Sequence, residues 1–330
     1  MLVSGARGFI GRWSVPALLR SGYEVHAVLS GNASRSYSIR DNPAQLRGAK
    51  IHVADLLNEA HVEKLMGEVR ATHLLHFAWI ATPGLYWHSA DNFRWLAASE
   101  HMLRRFAFHG GSRVMMAGSC AEYDWARAQV CDELLTPLAN DSQAGAPSPA
   151  ATAASPYAIC KIALQKSLSD FGRQERLSTA WGRIFFQFGP YEHPDRLVPS
   201  VIRNLLLNRE APVTHGRQLR SFLHVADVGD AFAAVLDGEL EGPVNIGSRE
   251  RVTLADLVAR IGRQIGRPDL LRLGALAAPA EDPAMRIPDV RRLCDEARWR
   301  PRFTLDGALS DTIEWWRGTL ARSAGAPGES

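Results

Sequence analysis

The sequence predicts an α/β fold, a doubly wound parallel sheet followed by a smaller C-terminal α/β domain. Three observations carry that expectation. Strand-like and helix-like segments alternate through the first half, the pattern of a parallel sheet covered on both faces. A glycine-rich turn, Gly5-Ala6-Arg7-Gly8-Phe9-Ile10-Gly11, joins the first strand to the first helix. Beyond about residue 180 the alternation loosens and Pro and Arg become more frequent, as suits a smaller domain of loops and helices.

Met1-Leu2-Val3 is the first strand, short enough to leave the true start of the chain open to lie upstream. Arg12–Arg20 is the first helix, in which Pro16 removes one backbone donor. Tyr23–Leu29, His73–Ala78 and Arg113–Ala117 read as short buried strands, with Glu59–Val69 and Phe93–Phe108 as the helices among them. Asp132–Ser155 is rich in Pro, Ala, Ser, Asp and Gly and reads as a surface loop. Leu177–Phe186 is the next strand. Asp306–Arg317 is an amphipathic helix with Trp315 and Trp316 as packing residues, and residues 321–330 read as a disordered tail. The larger domain then takes residues 1–180 with about 220–240, and the smaller one about 181–219 and 241–320.

Composition narrows the function classes. The net charge is +3, and Lys50, Lys64, Lys161 and Lys166 are the only lysines, so the basic charge is nearly all arginine and scattered. That argues against a nucleic-acid groove and suits discrete contacts to anions, which the arginine fork binds in pairs of hydrogen bonds. No stretch approaches the roughly 20 apolar residues that span a membrane, so no membrane partner is expected. Cys120, Cys131, Cys160 and Cys294 form no CxxC pair; they read as reduced thiols of a cytoplasmic protein, without a metal.

Three segments carry chemistry. Glycines at 5, 8 and 11 let the backbone approach a pyrophosphate seated on free amides at a helix N-terminus. Tyr157 and Lys161 are four apart and share one helix face, with Ser155-Pro156 marking the helix start. A nearby ammonium favours phenolate, so the Tyr157 pKa is expected to be low enough for proton transfer. Ser119 follows the strand that ends at Ala117-Gly118, at the strand end where ligands bind in such sheets. Alone, each signal is weak.

Together, in this order, they resemble the extended short-chain dehydrogenase/reductase family of NAD-dependent epimerases and dehydratases, over almost the whole chain from Leu2 to about Trp316. The resemblance implies a Rossmann-type doubly wound sheet that binds the dinucleotide, with the smaller domain binding the substrate. It implies a nucleotide-sugar substrate and catalytic Ser119, Tyr157 and Lys161, since Ser119-Cys120-Ala121-Glu122-Tyr123 is similar to the family's SSxxxYG and Tyr157–Lys161 to its YxxxK. It also implies that Gly5, Arg7, Gly8, Phe9, Ile10 and Gly11 hold the dinucleotide, that Asp55 and Leu56 bracket the adenine, and that Ala78 and Asn92 lie beneath and beside the cofactor. Tyr157 and Lys161 contact it as well. In the second domain, Leu197-Val198-Pro199 resembles the segment lining the nucleotide-sugar site, and Arg220-Ser221-Phe222-Leu223-His224-Val225 the RDFIHV motif whose arginine grips the diphosphate. Phe186 stands where many members carry a substrate-binding asparagine, and Ser221 replaces the usual aspartate. A homodimer through the helices around 93–108 and 157–172 is the family habit.

The second strand ends at Leu29-Ser30-Gly31, without the acidic residue that would hold a ribose 2′-hydroxyl. With Arg7 in the glycine turn and Arg35 after the strand, NADP(H) is favoured over NAD(H). Where the family's 4,6-dehydratases place an Asp-Glu acid–base pair, this chain has Cys120 and Ala121, with Glu122 offset by one. A dehydratase is therefore the least favoured sugar reaction. A reductase of a keto group on a nucleotide-linked (deoxy)hexose is favoured, with an epimerase that retains NAD as the alternative, and a non-catalytic dinucleotide sensor on the same fold stays open.

Overall fold

The computed structural model describes residues 1–30, 43–139, 155–278 and 282–325. Seven strands, β1 (Leu2–Ser4), β2 (His26–Leu29), β3 (Lys50–Val53), β4 (His73–His76), β5 (Arg113–Ser119), β7 (Ser178–Ile184) and β12 (Gly242–Ile246), form one sheet in the order β12-β7-β5-β4-β1-β2-β3. All neighbours run parallel. Strand order reverses at β1, which pairs with β2 on one side and β4 on the other; the crevice beyond their carboxyl ends is where ligands bind in such sheets.

Successive strand side chains point to opposite faces, and this divides the core. Val3, Ala27, Leu75, Met115 and Ala180 pack against α1 (Gly11–Arg20) and α6 (Val225–Asp237). Leu2, Val28, Leu74, Val114, Met116 and Trp181 lie under α2 (Glu59–Val69), α3 (Asp91–Phe108) and α4 (Pro156–Glu175). A sheet buried on both faces needs continuous apolar strands, which explains runs such as Val114-Met115-Met116.

The smaller domain holds a four-stranded sheet of β6 (Val130–Cys131), β10 (Leu219–Arg220), β13 (Val252–Thr253) and β15 (Met285–Pro288). Two strand pairs join it, β8 (Phe186–Phe188) with β11 (Phe222–His224) and β9 (Ala211–Val213) with β14 (Leu271–Leu273). Its apolar core gathers Val198, Ile202, Leu257, Ile261 and Leu309 between α5 (Leu197–Leu206), α7 (Leu254–Ile265) and α8 (Leu305–Gly325).

The structure corrects the sequence boundaries in three places. Residues 242–246, assigned above to the smaller domain, hydrogen-bond to β7 at the edge of the large sheet. β3 is a strand without a sequence signal, because Lys50 and His52 break its apolar run. α8 carries the helix to Gly325, so residues 321–325 are helical where a disordered tail is expected; residues 326–330 lie outside the described residues. Within Asp132–Ser155, Glu133 is buried and accepts a hydrogen bond from the Asn245 amide at 2.8 Å, which anchors this part of the loop although Leu134 and Leu135 stay exposed. Residues 140–154 of that segment lie outside the described residues.

Candidate active site

The glycine turn is built by close contacts. Gly5 has φ +65°, and a Cβ there would stand 2.8 Å from the Ala78 amide nitrogen; one on Gly11 would stand 2.3 Å from the Gly5 carbonyl oxygen. Only glycine fits either position. The Gly8 amide donates to Gly5 O at 2.9 Å. Ile10 caps α1 without a side-chain hydrogen bond, so the cap residue leaves the helix's N-terminal amides to other partners. Arg12, which no sequence motif flags, is buried and braces the turn from inside, donating to Gly8 O at 3.1 Å and Arg7 O at 2.6 Å.

Below the turn, a buried relay fixes β1 to β4. Ser99 Oγ donates to Trp95 O at 2.6 Å and is therefore an acceptor for His76 Nε2 at 2.9 Å. That leaves His76 Nδ1 to accept from Ser4 Oγ at 2.6 Å. Burial pushes His76 down to about 3, so the ring stays neutral and the relay keeps one polarity. A cradle that a Cβ would fill, at a helix N-terminus free of side-chain caps, fits a dinucleotide pyrophosphate.

Ser119, Tyr157 and Lys161 converge at the carboxyl end of β5. Ser155 caps α4, accepting from the Ala158 amide at 3.3 Å, and Pro156 occupies the first turn, so Tyr157 starts the helix as the sequence indicates. Its ring packs edge-on against Tyr86 at 4.9 Å and Trp87 at 5.6 Å. Burial pushes the Tyr157 hydroxyl well above its ordinary range, and the neighbouring Ser119 side chain offsets this only in part. This corrects the expected lowering. Lys161 Nζ is engaged elsewhere: it donates to Ala117 O at 2.8 Å and lies 3.7 Å from the centroid of the Trp79 ring, against 5.9 Å for the Tyr157 ring. Burial pushes the ammonium itself down to about 7.

Glu122 is taken up by structural partners. It is fully buried, accepts from the Ser119 amide at 2.6 Å and from Arg183 Nε at 2.8 Å, and also receives Trp181 Nε1. With Ser119 it closes a capping box around the short turn Cys120–Glu122, so it shapes the strand end that presents the serine.

Several positions named from sequence are occupied by structural contacts. Asn92 is fully buried; it accepts from Trp79 Nε1 at 2.8 Å and donates to Tyr86 O and Ser89 O. Ala78 donates its amide to Ser4 Oγ at 3.4 Å. Exposed Asp55 holds the Leu57 amide at 3.0 Å, while Leu56 is buried beneath α2. Phe9 and Arg7 are half-buried in the turn, and Ser30 ends the described part of the second strand segment. Arg35 lies outside the described residues.

On the smaller domain, Arg220 is buried and pairs with Asp282 at 2.5 Å, with further donations to Pro283 O and Leu219 O. Its guanidinium lies 5.4 Å from the Phe186 ring, and Leu197 opens α5 nearby in sequence. Arg286, in register with Arg220 on the adjacent strand, has an Nε with no hydrogen-bond partner among the described residues. The sequence offers no signal for it, one arginine among many in an Arg-rich segment. Among the described residues, no helix is long and apolar enough to cross a membrane.

The profile of the NAD dependent epimerase/dehydratase family matches residues 1–247. The dTDP-glucose 4,6-dehydratase of Streptomyces niveus is 28% identical over 364 residues, covering 100% of this chain and 99% of its own length. UDP-glucuronic acid decarboxylase 1 of Xenopus tropicalis is 24% identical over 328 residues, 98% of this chain and 73% of its own. Among solved structures, the dTDP-glucose 4,6-dehydratase of Streptomyces venezuelae with NAD bound superposes with a TM-score of 0.78 at 22% identity, covering 97% of this chain and 98% of that one. This chain belongs to the NAD-dependent epimerase/dehydratase family of extended short-chain dehydrogenases/reductases.

Proposed function

We propose that this protein modifies a nucleotide-linked sugar, reducing a keto group on an NDP-(deoxy)hexose. One observation carries the choice of reaction: the strand end that bears Ser119 offers no carboxylate for elimination. Cys120 and Ala121 stand in the places where the resemblance puts an acid–base pair, and Glu122 is buried against Arg183. The relatives named above as dehydratases and a decarboxylase support the nucleotide-sugar class.

The glycine turn, with Arg12 bracing it, would hold the pyrophosphate, and Lys161 would lie along the nicotinamide ribose, with Asn92 acting behind it through Trp79. When bound, the dinucleotide supplies the hydride. Tyr157 Oη moves a proton to the sugar oxygen, and its high pKa keeps that proton in place until it is needed. Ser119 Oγ, beside Tyr157, orients the same oxygen. Arg220 and Arg286, both paired with Asp282 in this structure, would meet the diphosphate once released from it. The preference for NADP(H) gains no support from the Streptomyces venezuelae structure, which holds NAD; it rests on Arg7 and on the missing acidic residue near Ser30. An epimerase that retains NAD is the second reading, favoured by the NAD in that structure. A homodimer through α3 and α4 is supported by exposed Phe93, Phe108 and Ile159 on those helices, and a cytoplasmic location by the reduced thiols.

The test pairs product analysis with a substitution. Wild type given a keto-sugar nucleotide and reduced dinucleotide should consume the two one for one, and Tyr157→Phe should lower turnover by about 10²–10⁴-fold with binding retained. Net formation of a keto-deoxy sugar from the hexose nucleotide, without dinucleotide consumption, would identify a dehydratase and defeat the proposal.

A further inference from the structure

Lys161 is 4% exposed, and burial opposes its charge. What surrounds the ammonium is specific. Nζ lies 3.7 Å from the Trp79 ring centroid and 2.8 Å from Ala117 O, whereas Trp181 is more distant at 6.0 Å. The charged and titratable groups facing it are few. Glu122, on the turn after β5, favours the ammonium but is already paired with Arg183 at 2.8 Å. His76 on β4 is neutral, and Cys160 and Tyr157 lie on the lysine's own helix. An indole face carries negative potential and attracts a cation, most strongly where water is excluded.

The indole is not free to turn away. Trp79 Nε1 donates to Asn92 Oδ1 at 2.8 Å, and Asn92 donates to Tyr86 O at 2.7 Å and Ser89 O at 2.9 Å. The turn between β4 and α3 thus forms a frame around one asparagine, and the frame presents an aromatic face to the lysine.

We propose that Trp79 is a positioning residue for Lys161, its indole face seating the ammonium against the Ala117 carbonyl and holding it in the charged form. The consequence for turnover rests on the role given to Lys161 above. Trp79 touches neither reacting atom in this scheme; it acts through the lysine.

With only four lysines in the chain, lysine labelled with ¹³C at Cε gives four methylene signals in NMR spectra of the intact protein, and Lys161→Arg assigns one of them. The ring current of Trp79 should place the Lys161 ε-protons upfield of the other three. Trp79→Leu should return them to the ordinary position, and Trp79→Phe should retain part of the displacement. In titrations of the same signals, Trp79→Leu should lower the Lys161 midpoint by about one pH unit. The alkaline limb of kcat/KM should fall by the same amount, because the charged lysine is then lost at lower pH. A Lys161 methylene without upfield displacement in the wild type overturns the proposal. So does a midpoint in Trp79→Leu equal to the wild type's, and if that variant does not fold, an unmoved signal in Trp79→Phe has the same force. An inert enzyme with a displaced Lys161 signal would count against the keto-sugar reading alone.

Discussion

Replacing Glu122 with Gln separates a carboxylate that builds the site from one that works in it. The side chain is fully buried and accepts from the Ser119 amide at 2.6 Å, from Arg183 Nε at 2.8 Å and from Trp181 Nε1 at 3.0 Å. Arg183 is buried too, and its remaining donors already reach Tyr123 Oη, Glu133 O and Gln165 Oε1. Glutamine keeps the shape but carries one oxygen, so whichever way its amide turns, one NH₂ group meets another donor. Removing one partner of a buried ion pair costs about 3–5 kcal/mol, and the surviving oxygen holds the loss near the lower figure, about 3 kcal/mol. With a urea slope of about 3 kcal/mol/M, the unfolding midpoint falls by about 1 M. Tryptophan fluorescence reports it, because Trp181 lies against the carboxylate. Turnover in the absence of urea should fall less than about tenfold, through loosening of Ser119. An unchanged midpoint combined with a loss of about 10²-fold or more in turnover would show Glu122 acting as acid or base, and the argument against elimination would fail.

Two further outcomes follow from side chains already described or adjoining them. Glu192, whose Oε2 has no hydrogen-bond partner among the described residues, is pushed up to about 8 by burial. An unfolded glutamate ionises near 4.5, so the folded state is favoured below that pH and loses stability as pH rises from there through 8. Glu192→Gln removes this loss: its melting temperature should exceed the wild type's by several degrees at pH 8 and approach it at pH 5, and a gap of the same size at both pH values would refute the assignment. Gly11→Ala sets a methyl 2.3 Å from the Gly5 carbonyl oxygen, so dinucleotide affinity, followed by NADH fluorescence titration, should collapse; wild-type affinity would remove the glycine turn from the binding site.

The parts of the site legible in the sequence are those defined by short spacing. Gly5, Gly8 and Gly11 share one turn, Ser155, Pro156, Tyr157 and Lys161 share two helical turns, and Ser119 ends an apolar strand, so local rules suffice to place them. What escaped reading depends on long-range contact. Trp79 meets Lys161 and Arg286 aligns with Arg220 only after the sheet has closed. The same limit explains the Tyr157 correction: a spacing of four puts the two side chains on one face, but the burial that raises the hydroxyl comes only with the folded site, where the Ala117 carbonyl and Trp79 hold the ammonium. Arg220 likewise reads as a free cation until Asp282, distant in sequence, folds onto it.

The placement of β12 bears on how the chain is made. The large sheet receives its last strand from residues 242–246, after the chain has already entered the smaller domain and returned through α6. During synthesis β7 therefore emerges well before its partner. At 5–20 residues per second the interval between Ile184 and Ile246 is roughly 3–12 s. Through that time the strand's unpaired amides and carbonyls, and the apolar face bearing Met115 and Ala180 that α6 later covers, stand open to other nascent chains. A ribosome pausing between these two points would prolong the exposure of an edge that the finished protein conceals.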